Sequence, residues 1–354
     1  MQTERILIFT KNWLGDVIFE EPFIRALKRK FPQSYIVCVT NYRCKDVVAA
    51  HPHVDEIIEF DDRRQDKGII AKLKLIVLLR KKNITKAFIL HRSFSRAVII
   101  FFASIPERFG YATKKRGFLL TQPIQEPSGK IHRVDYFLHI LKQTGLYIDA
   151  LHANRYQFYI MHTDKEYIMS LLKSIAIEPH TFVSIHPGAN WPPKRWPAKN
   201  FIDCINQINA TYDVPIVITG GNDDIDIAQK IISAVTGRKP ISLCGKTTIR
   251  QLGALLSLSR LVISADSGPL HIASGMGVPV IGLFGPTDPN ITGPRGQDQC
   301  FIIKNVPSQC TLPCYEEHCP LNECMSDIGA DRVLSIIKKH YLLETYEITE
   351  GNHS

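Results

Sequence analysis

Short apolar runs alternate with longer amphipathic stretches along almost the whole chain of 354 residues. In the first half RILIF, YIVCVT, EIIEF, KAFIL and ERFGY read as strands, with helical spacing between them. In the second half FVSIH, PIVITG, PISLC, RLVISA and PVIGLF read the same way, and the periodicity predicts helices over 198–209, 223–236, 248–258 and 268–276. Behind the first strand, Ile18, Phe23, Ala26, Leu27 and Phe31 fall on one helical stripe that Pro32 closes. Such alternation implies parallel sheets joined by right-handed crossovers. The expected architecture is α/β, with two Rossmann-like parallel-sheet domains facing a cleft. The first domain covers 1–165 and the second 175–330, with a seam between about 155 and 180. A C-terminal helix and tail occupy 331–354, and a helix from about Ala330 to Thr345 is long enough to reach back toward the first domain.

Charge divides the two halves. The net charge is +9, yet residues 1–160 hold 27 Lys/Arg against 15 Asp/Glu and the remainder 16 against 19. A basic half points to an anionic partner, whether nucleic acid, acidic membrane surface or acidic substrate. Solvated helix faces account for stretches such as RALKRKF and LLRKKN. Nucleic acid is disfavoured, because no recognition motif is present and the basic residues are not interleaved with a strip of stacking aromatics. No apolar stretch reaches the roughly 18–20 residues of a membrane span. RILIF begins too early for a signal peptide, so a cytoplasmic protein is expected. Its nine cysteines are then expected to be thiols. Cys310, Cys314, Cys319 and Cys324 are separated by three, four and four residues, unlike the paired CxxC knuckles of a zinc ribbon. Packed thiols are expected there in preference to a metal site.

Candidate chemistry sits at the strand ends. KNWLGDV follows the first strand, where a nucleotide-binding domain usually places a glycine-rich phosphate cradle. Here Gly15 is followed by Asp16, whose charge would repel a phosphate; Asp16 reads either as a proton acceptor or as the N-cap of a helix beginning at Val17. In HPGANWPPKRWP, Lys194 and Arg195 lie in a proline-stiffened loop, suited to clamp a phosphate or simply solvated beside Trp196. Gly220, Gly221 and Asn222 in VITGGNDD read as a ribose-facing turn or as a plain turn with a cap at Asn222, Asp223 or Asp224. In ADSGPLHIA, Asp266, Ser267 and Gly268 precede a helix whose N-terminus suits a diphosphate, and His271 lies in its first turn, either on the ligand or in the core. GLFGPTDP adds a second turn at Gly285 and Thr287. The paired aspartates at 61–62 and 223–224 read as surface or capping residues, not as a metal–diphosphate site.

Taken in order from Ile6 to about Val333, NWLGDV, HPGANWPPKRWP, ADSGPLHIA and GLFGPTDP make the chain resemble glycosyltransferase family 9, the ADP-heptose:lipopolysaccharide heptosyltransferases. The KRWP loop and the SFSRA run after Arg92 are similar to the heptosyltransferase II branch. The resemblance implies a GT-B fold with the donor in the second domain and the acceptor in the first. It implies heptose transfer from ADP-heptose to the inner core of a lipid-linked lipopolysaccharide, with inversion. Asp16 would be the general base and Lys194 would contact the donor diphosphate. Asp266 would hold heptose hydroxyls, Ser267 and Gly268 the phosphate, and Asn190, Gly221, Asn222, Thr247 and His271 would complete the donor site. Asn222 departs from the ribose-binding glutamate of some members, which leaves the nucleotide open. Arg43, Lys45, Arg92, Arg96, Lys114, Lys115 and Arg116 are the cations offered to acceptor carboxylates and phosphates, and KKRGF to the inner face of the cytoplasmic membrane as a peripheral contact. No cofactor is expected to be required, with stimulation by a divalent cation left open. Other nucleotide sugars or glycan acceptors, and a non-catalytic nucleotide-sugar-binding protein, are the competing readings.

Overall fold

In the computed structural model, which describes residues 3–344 except 63, 152, 297 and 298, the chain forms two parallel six-stranded sheets. The first contains β1 (Arg5–Phe9), β2 (Tyr35–Thr40), β3 (Glu56–Glu59), β4 (Lys86–Ile89), β5 (Glu107–Tyr111) and β6 (Gln122–Ile124), in the order β3-β2-β1-β4-β5-β6. The second contains β7 (Val183–His186), β8 (Ile216–Ile218), β9 (Ile241–Ser242), β10 (Leu261–Ala265), β11 (Val280–Phe284) and β12 (Cys300–Lys304), in the order β12-β11-β10-β7-β8-β9. Each order reverses once, between β1 and β4 and between β7 and β10. Ligands of open α/β sheets bind at the carboxyl ends of the strands beside such a reversal. Central strands read as unbroken apolar runs because helices cover both faces: Ile6, Leu7, Ile8 and Phe9 are fully buried.

Ten of the twelve strands coincide with the apolar runs, while β6 and β12 are additional edge strands. The helix behind β1 is two helices, Leu14–Phe19 and Glu21–Lys30. Pro22 cannot donate an i→i−4 bond, so the chain restarts there, and Glu20 at the break turns into the core. Helices Ala198–Thr211, Ile225–Ala234, Ile249–Ser257 and Gly268–Gly275 lie where the periodicity places them. The C-terminal helix, Ala330–Lys339, does not reach the first domain; its Val333, Leu334 and Ile337 pack with Phe201, Cys204 and Ile208 on the second sheet. The expected tail beyond 344 lies outside the described residues.

The link between domains is a short strip threaded along the interface. Tyr156 N–H and Phe158 N–H donate to the Arg295 and Gly275 carbonyls, while Gln157 N–H and the Tyr159 hydroxyl donate to Glu21. Helix His162–Ser174, inside the expected seam, packs with the second domain through Ile168 and Leu172. One continuous core crosses the interface, from Phe19 through Tyr156 and Phe158 to Leu270 and Ile272. Gly296 closes this region against the end of helix Gly268–Gly275: a methyl at Gly296 would lie 1.9 Å from the Ser274 carbonyl oxygen, whose backbone cannot yield cheaply. Gly296→Ala is expected to lower stability by about 2–4 kcal/mol, read as the shift of a urea midpoint at unchanged slope. A variant that unfolds with the parent would show that this loop is not packed as described.

Candidate active site at the interdomain crevice

β10 delivers Asp266 to the second reversal, and β7 delivers the loop that ends in Lys194. Asp266 is only 3% exposed, and its oxygens are taken up by protein donors. Lys194 Nζ donates to Oδ2 at 2.9 Å and to the Asp266 carbonyl at 3.1 Å; Thr292 Oγ1 donates to Oδ2 at 3.2 Å. His271 Nε2 stands 3.2 Å from Oδ1, and its Nδ1 is 3.1 Å from the Tyr156 hydroxyl. That hydroxyl also accepts the Arg295 N–H at 3.1 Å, and because an ionised carboxylate can only accept, Nε2 is the nitrogen that donates to Asp266. Burial alone would raise the Asp266 carboxyl; the His271 hydrogen bond and the Lys194 charge outweigh it and hold the group well below the usual carboxylate range.

Lys194 closes a 3₁₀ turn, Pro192–Lys194, fastened from behind. Trp196 is buried against Phe201 and donates through Nε1 to the Ile328 carbonyl at 2.8 Å; Asn200 donates to the Ser326 and Ile328 carbonyls. Held there, Lys194 keeps part of its side chain in the crevice. Asp266, the residue expected to hold the sugar, has its carboxylate buried and bonded to Lys194, the more exposed of the two. His271 is likewise interior, fixing Asp266. At Gly268 the close approach is made by the first domain, since a methyl there would lie 2.4 Å from Leu14 Cδ2. Ser267 occupies the N-cap with extended backbone but gives its helix no side-chain bond; its hydroxyl pairs with Ser264 at 3.0 Å. The helix N-terminus is thus left without a side-chain cap at the crevice.

Further along the same edge, Gly221 and Asn222 are exposed at the end of β8, and Thr247 half-buried after β9. Gly245, at φ +72°, brings the two turns together, since a methyl on it would meet Asn222 Oδ1 at 2.3 Å. Asp224 bonds the Gly221 N–H at 2.9 Å, and Thr248 caps helix Ile249–Ser257 in a reciprocal box with Gln251. Asn190 is exposed on the Lys194 loop. Cys310, Cys314, Cys319 and Cys324 line one small cavity with Pro193, Gly285 and Pro286, behind the Lys194 and Gly285 turns. Among the described residues no group of three or more His, Cys, Asp or Glu is placed to hold a metal ion.

Opposite, β1 runs into helix Leu14–Phe19. Its N-cap is Trp13, so Asp16 stands inside the first turn and does not cap. The Asp16 carboxylate is half-buried, and a methyl on its neighbour Gly15 would lie 3.4 Å from His271 Cδ2. The series Gly15, His271, Asp266, Lys194 thus ties the two strand ends into one crevice. Glu20, Lys11, Phe19 and His132, missing from the sequence expectation, complete this corner. Glu20, one turn on from Asp16, is fully buried and accepts the Lys11 N–H at 2.8 Å; burial pushes its carboxyl well above the ordinary range, and Asp16 pushes the same way. Burial lowers the Lys11 ammonium, against the pull of Asp16 and Glu20. Phe19 seals the floor, with its ring 4.6 Å from that of His271 and 5.5 Å from that of His132. Burial and the nearby Arg295 push His132 down to about 4, and its neutral ring donates to the Gly293 carbonyl at 2.9 Å.

The basic residues separate into two groups. Arg43, Lys45, Arg92, Lys114 and Lys115 are exposed, with Arg92 paired to Glu126 and Lys45 to Glu59. Arg96 and Arg116 are not available to an acceptor, contrary to expectation. Arg96 is 2% exposed and donates to the Thr10 carbonyl and Asn12 Oδ1, bracing the turn that carries Asp16. Arg116 is fully buried, spends its guanidinium on the carbonyls of Tyr111, His91 and Ser93, and is pulled down to about 10 by burial.

Comparison with known proteins fits this architecture. The sequence pattern of "Glycosyltransferase family 9 (heptosyltransferase)" matches residues 72–324. Among curated relatives, lipopolysaccharide heptosyltransferase 2 of Salmonella typhimurium is 26% identical over 300 residues, covering 82% of this chain and 85% of its own. Lipooligosaccharide heptosyltransferase 2 of Campylobacter jejuni serotype O:6 is 23% identical over 340 residues, covering 95% and 98%. The fold is that of a family 9 glycosyl transferase from Veillonella parvula (TM-score 0.85, 23% identity, 98% of this chain and 99% of that one). It is also that of the E. coli ADP-heptose lps heptosyltransferase II (TM-score 0.77, 23% identity, 96% and 98%). With the family pattern running through well over half of its length, across both sheets and the Lys194–Asp266 crevice between them, the chain belongs to glycosyltransferase family 9, the heptosyltransferases.

Proposed function

We propose that the chain moves heptose from ADP-heptose onto an existing heptose of a lipopolysaccharide inner core, with inversion at the anomeric carbon. The observation that carries this reading is the opposition of charges across the crevice. An anchored Lys194 and an uncapped helix N-terminus belong to the second domain, and an ionisable Asp16 to the first. The names of the curated relatives support the substrate class.

The chemistry needs little more. An acceptor hydroxyl oxygen attacks the anomeric carbon as the bond from that carbon to the nucleotide diphosphate oxygen breaks. The diphosphate leaves as a stable anion and needs positive charge rather than a proton, which Lys194 and the backbone N–H groups of helix Gly268–Gly275 provide. The hydroxyl proton passes to Asp16. One base is enough, unlike the paired carboxylates of hydrolases. Glu20 is fully buried behind it and burial pushes its carboxyl up, so Asp16 is the carboxylate of this corner that faces the acceptor. The reaction as written calls for no cofactor, and stimulation by a divalent ion is compatible with it. Arg43, Arg92 and Lys115 are the exposed cations left to grip acceptor anions.

Titration calorimetry with ADP-, UDP- and GDP-sugars, followed by transfer assays on truncated lipopolysaccharides of defined core length, tests the substrate assignment. Binding of UDP- or GDP-sugars in preference to ADP-heptose would overturn it. Asp16→Asn is expected to keep ADP affinity while turnover falls roughly 100-fold or more; undiminished turnover would remove Asp16 from the reaction. Lys194→Ala is expected to weaken ADP binding by about tenfold or more, with Lys194→Arg recovering part of it. Equal affinities in all three proteins would leave Lys194 without a role in binding.

A pH dependence follows from Glu20. A carboxyl whose folded-state pKa is raised contributes its stability below its unfolded value, about 4.3. That contribution is lost as pH rises toward the folded value. Glu20→Gln, which cannot ionise, is therefore expected to match the parent in melting temperature near pH 4 and to gain on it steadily toward pH 8. A difference that does not change with pH would mean that folding does not raise the Glu20 carboxyl.

A further inference from the structure

One helix of the first domain is apolar on the side it turns to solvent. Ile69–Lys81 buries Leu75, Ile76 and Leu79 against the sheet, as a domain helix must. On its outer side Ile69, Ile70, Leu73 and Val77 are 74, 67, 54 and 51% exposed. At the helical turn of about 100° per residue these four fall within an arc of roughly 100°, so they form one stripe. A solvated helix would carry polar residues there. The neighbouring helix, Phe94–Phe102, extends the patch: Arg80 Nε donates to the Phe102 carbonyl at 3.0 Å, and the Phe101 and Phe102 rings beside it are both exposed. At the crevice end of that helix, exposed Phe94 and Phe118 stand 6.4 Å apart, next to exposed Lys114 and Lys115.

Charge identifies the occupant. Residues 67–82 contain six Lys/Arg and no Asp/Glu, and residues 93–106 contain no Asp/Glu either. Lys82 is paired with Glu56, while Lys74 and Lys81 flank the apolar stripe, exposed. An apolar stripe bordered by cations, with no acid on either helix, is complementary to a bilayer surface rich in anionic headgroups. The helix has 13 residues, about 20 Å, against a hydrocarbon core of about 30 Å, so it would lie in the interface and not span it. Among the described residues no helix is long and apolar enough to cross a membrane.

The geometry points to this face, helix Ile69–Lys81 with the Phe101–Phe102 edge, as the surface by which the protein docks on an anionic lipid bilayer. The inference rests on the proposed function only in that a lipid-linked acceptor is met at such a surface. In parallel α/β domains the helices start at the carboxyl edge of the sheet. Docking by this face therefore lays Phe94, Phe118 and Lys115 along the bilayer at the mouth of the crevice.

The test is co-sedimentation with vesicles of phosphatidylcholine, with and without phosphatidylglycerol, using the parent and the double variant Ile70→Glu/Val77→Glu. Both positions are exposed, so melting temperature and ADP binding are expected to be unchanged. The parent is expected to bind phosphatidylglycerol vesicles at least tenfold more tightly than phosphatidylcholine alone, and the variant to lose about tenfold or more of that binding. Should the glutamates disturb folding, Lys74→Ser/Lys81→Ser removes only charge and is expected to weaken binding to the anionic vesicles several-fold. Parent-like vesicle binding by the variants, or none by the parent, overturns the proposal. So does a parent dimer that the substitutions split without any effect on vesicles, which would give the face to a second copy of the chain. A parent that binds vesicles through this face but transfers no heptose would sink the functional assignment and leave the docking surface standing.

Discussion

The crevice is organised around one buried negative charge. An unpaired carboxylate as deeply buried as Asp266 would cost several kcal/mol. It is tolerated because Lys194, His271 and Thr292 converge on it. Each partner is then constrained in turn. Lys194 cannot wander as a surface lysine does, because its turn is stapled by Trp196 and its ammonium is bonded twice to the same residue. His271 is held at both ring nitrogens, with Nε2 donating to the Asp266 carboxylate and Nδ1 against the Tyr156 hydroxyl. A flexible cation has become a fixed one, and a fixed charge can stabilise an anion without reorganisation.

The first domain answers with a different use of charge. Its excess of basic residues suggests a surface built only to attract anions, yet two of the arginines are interior struts. Arg96 and Arg116 spend their donors on backbone carbonyls around the ends of β1 and β4, and so hold rigid the turns that carry Asp16 and Arg92. The buried Glu20, which accepts the Lys11 backbone N–H, adds a further brace to the same turn. Positive charge on this half is therefore divided between bracing the site from within and facing outward for ligands.

Asp16, Lys194 and Asp266 stood out because Asp266 follows directly on an apolar run and the other two lie in the turns after β1 and β7, and a strand's carboxyl end is where an α/β fold puts its chemistry. The four main helices of the second half were legible for the same reason, periodicity bounded by Pro, Thr and Gly. Gln122–Ile124 carries a proline and only one buried residue, so no apolar alternation announced it as a strand. Cys300–Lys304 was apolar but lay at the sheet's edge after the loop from Gly293, where nothing local separates strand from loop. The roles of Arg96 and Glu20 were beyond reach for another reason. A charged residue is buried by partners far off in the chain, and the carbonyl that takes Arg96 is 86 residues away. Asp266 stood out too, but only the packed structure reveals that Lys194, His271 and Thr292 bond its oxygens.

The strip from Tyr156 to Tyr159 bears on how the two halves can swing. It is bonded on one side to Arg295 and Gly275, with the Phe158 ring filling the space over Gly253, and on the other to the single carboxylate of Glu21. A rotation that draws the two domains apart along this strip must break the bonds on one side of it. The second-domain side has two backbone bonds and a packed aromatic ring, so the strip travels with that domain. Glu21 is then one of the holds that any parting of the domains must release, together with the His132–Gly293 bond and the Arg295–Asp135 ion pair.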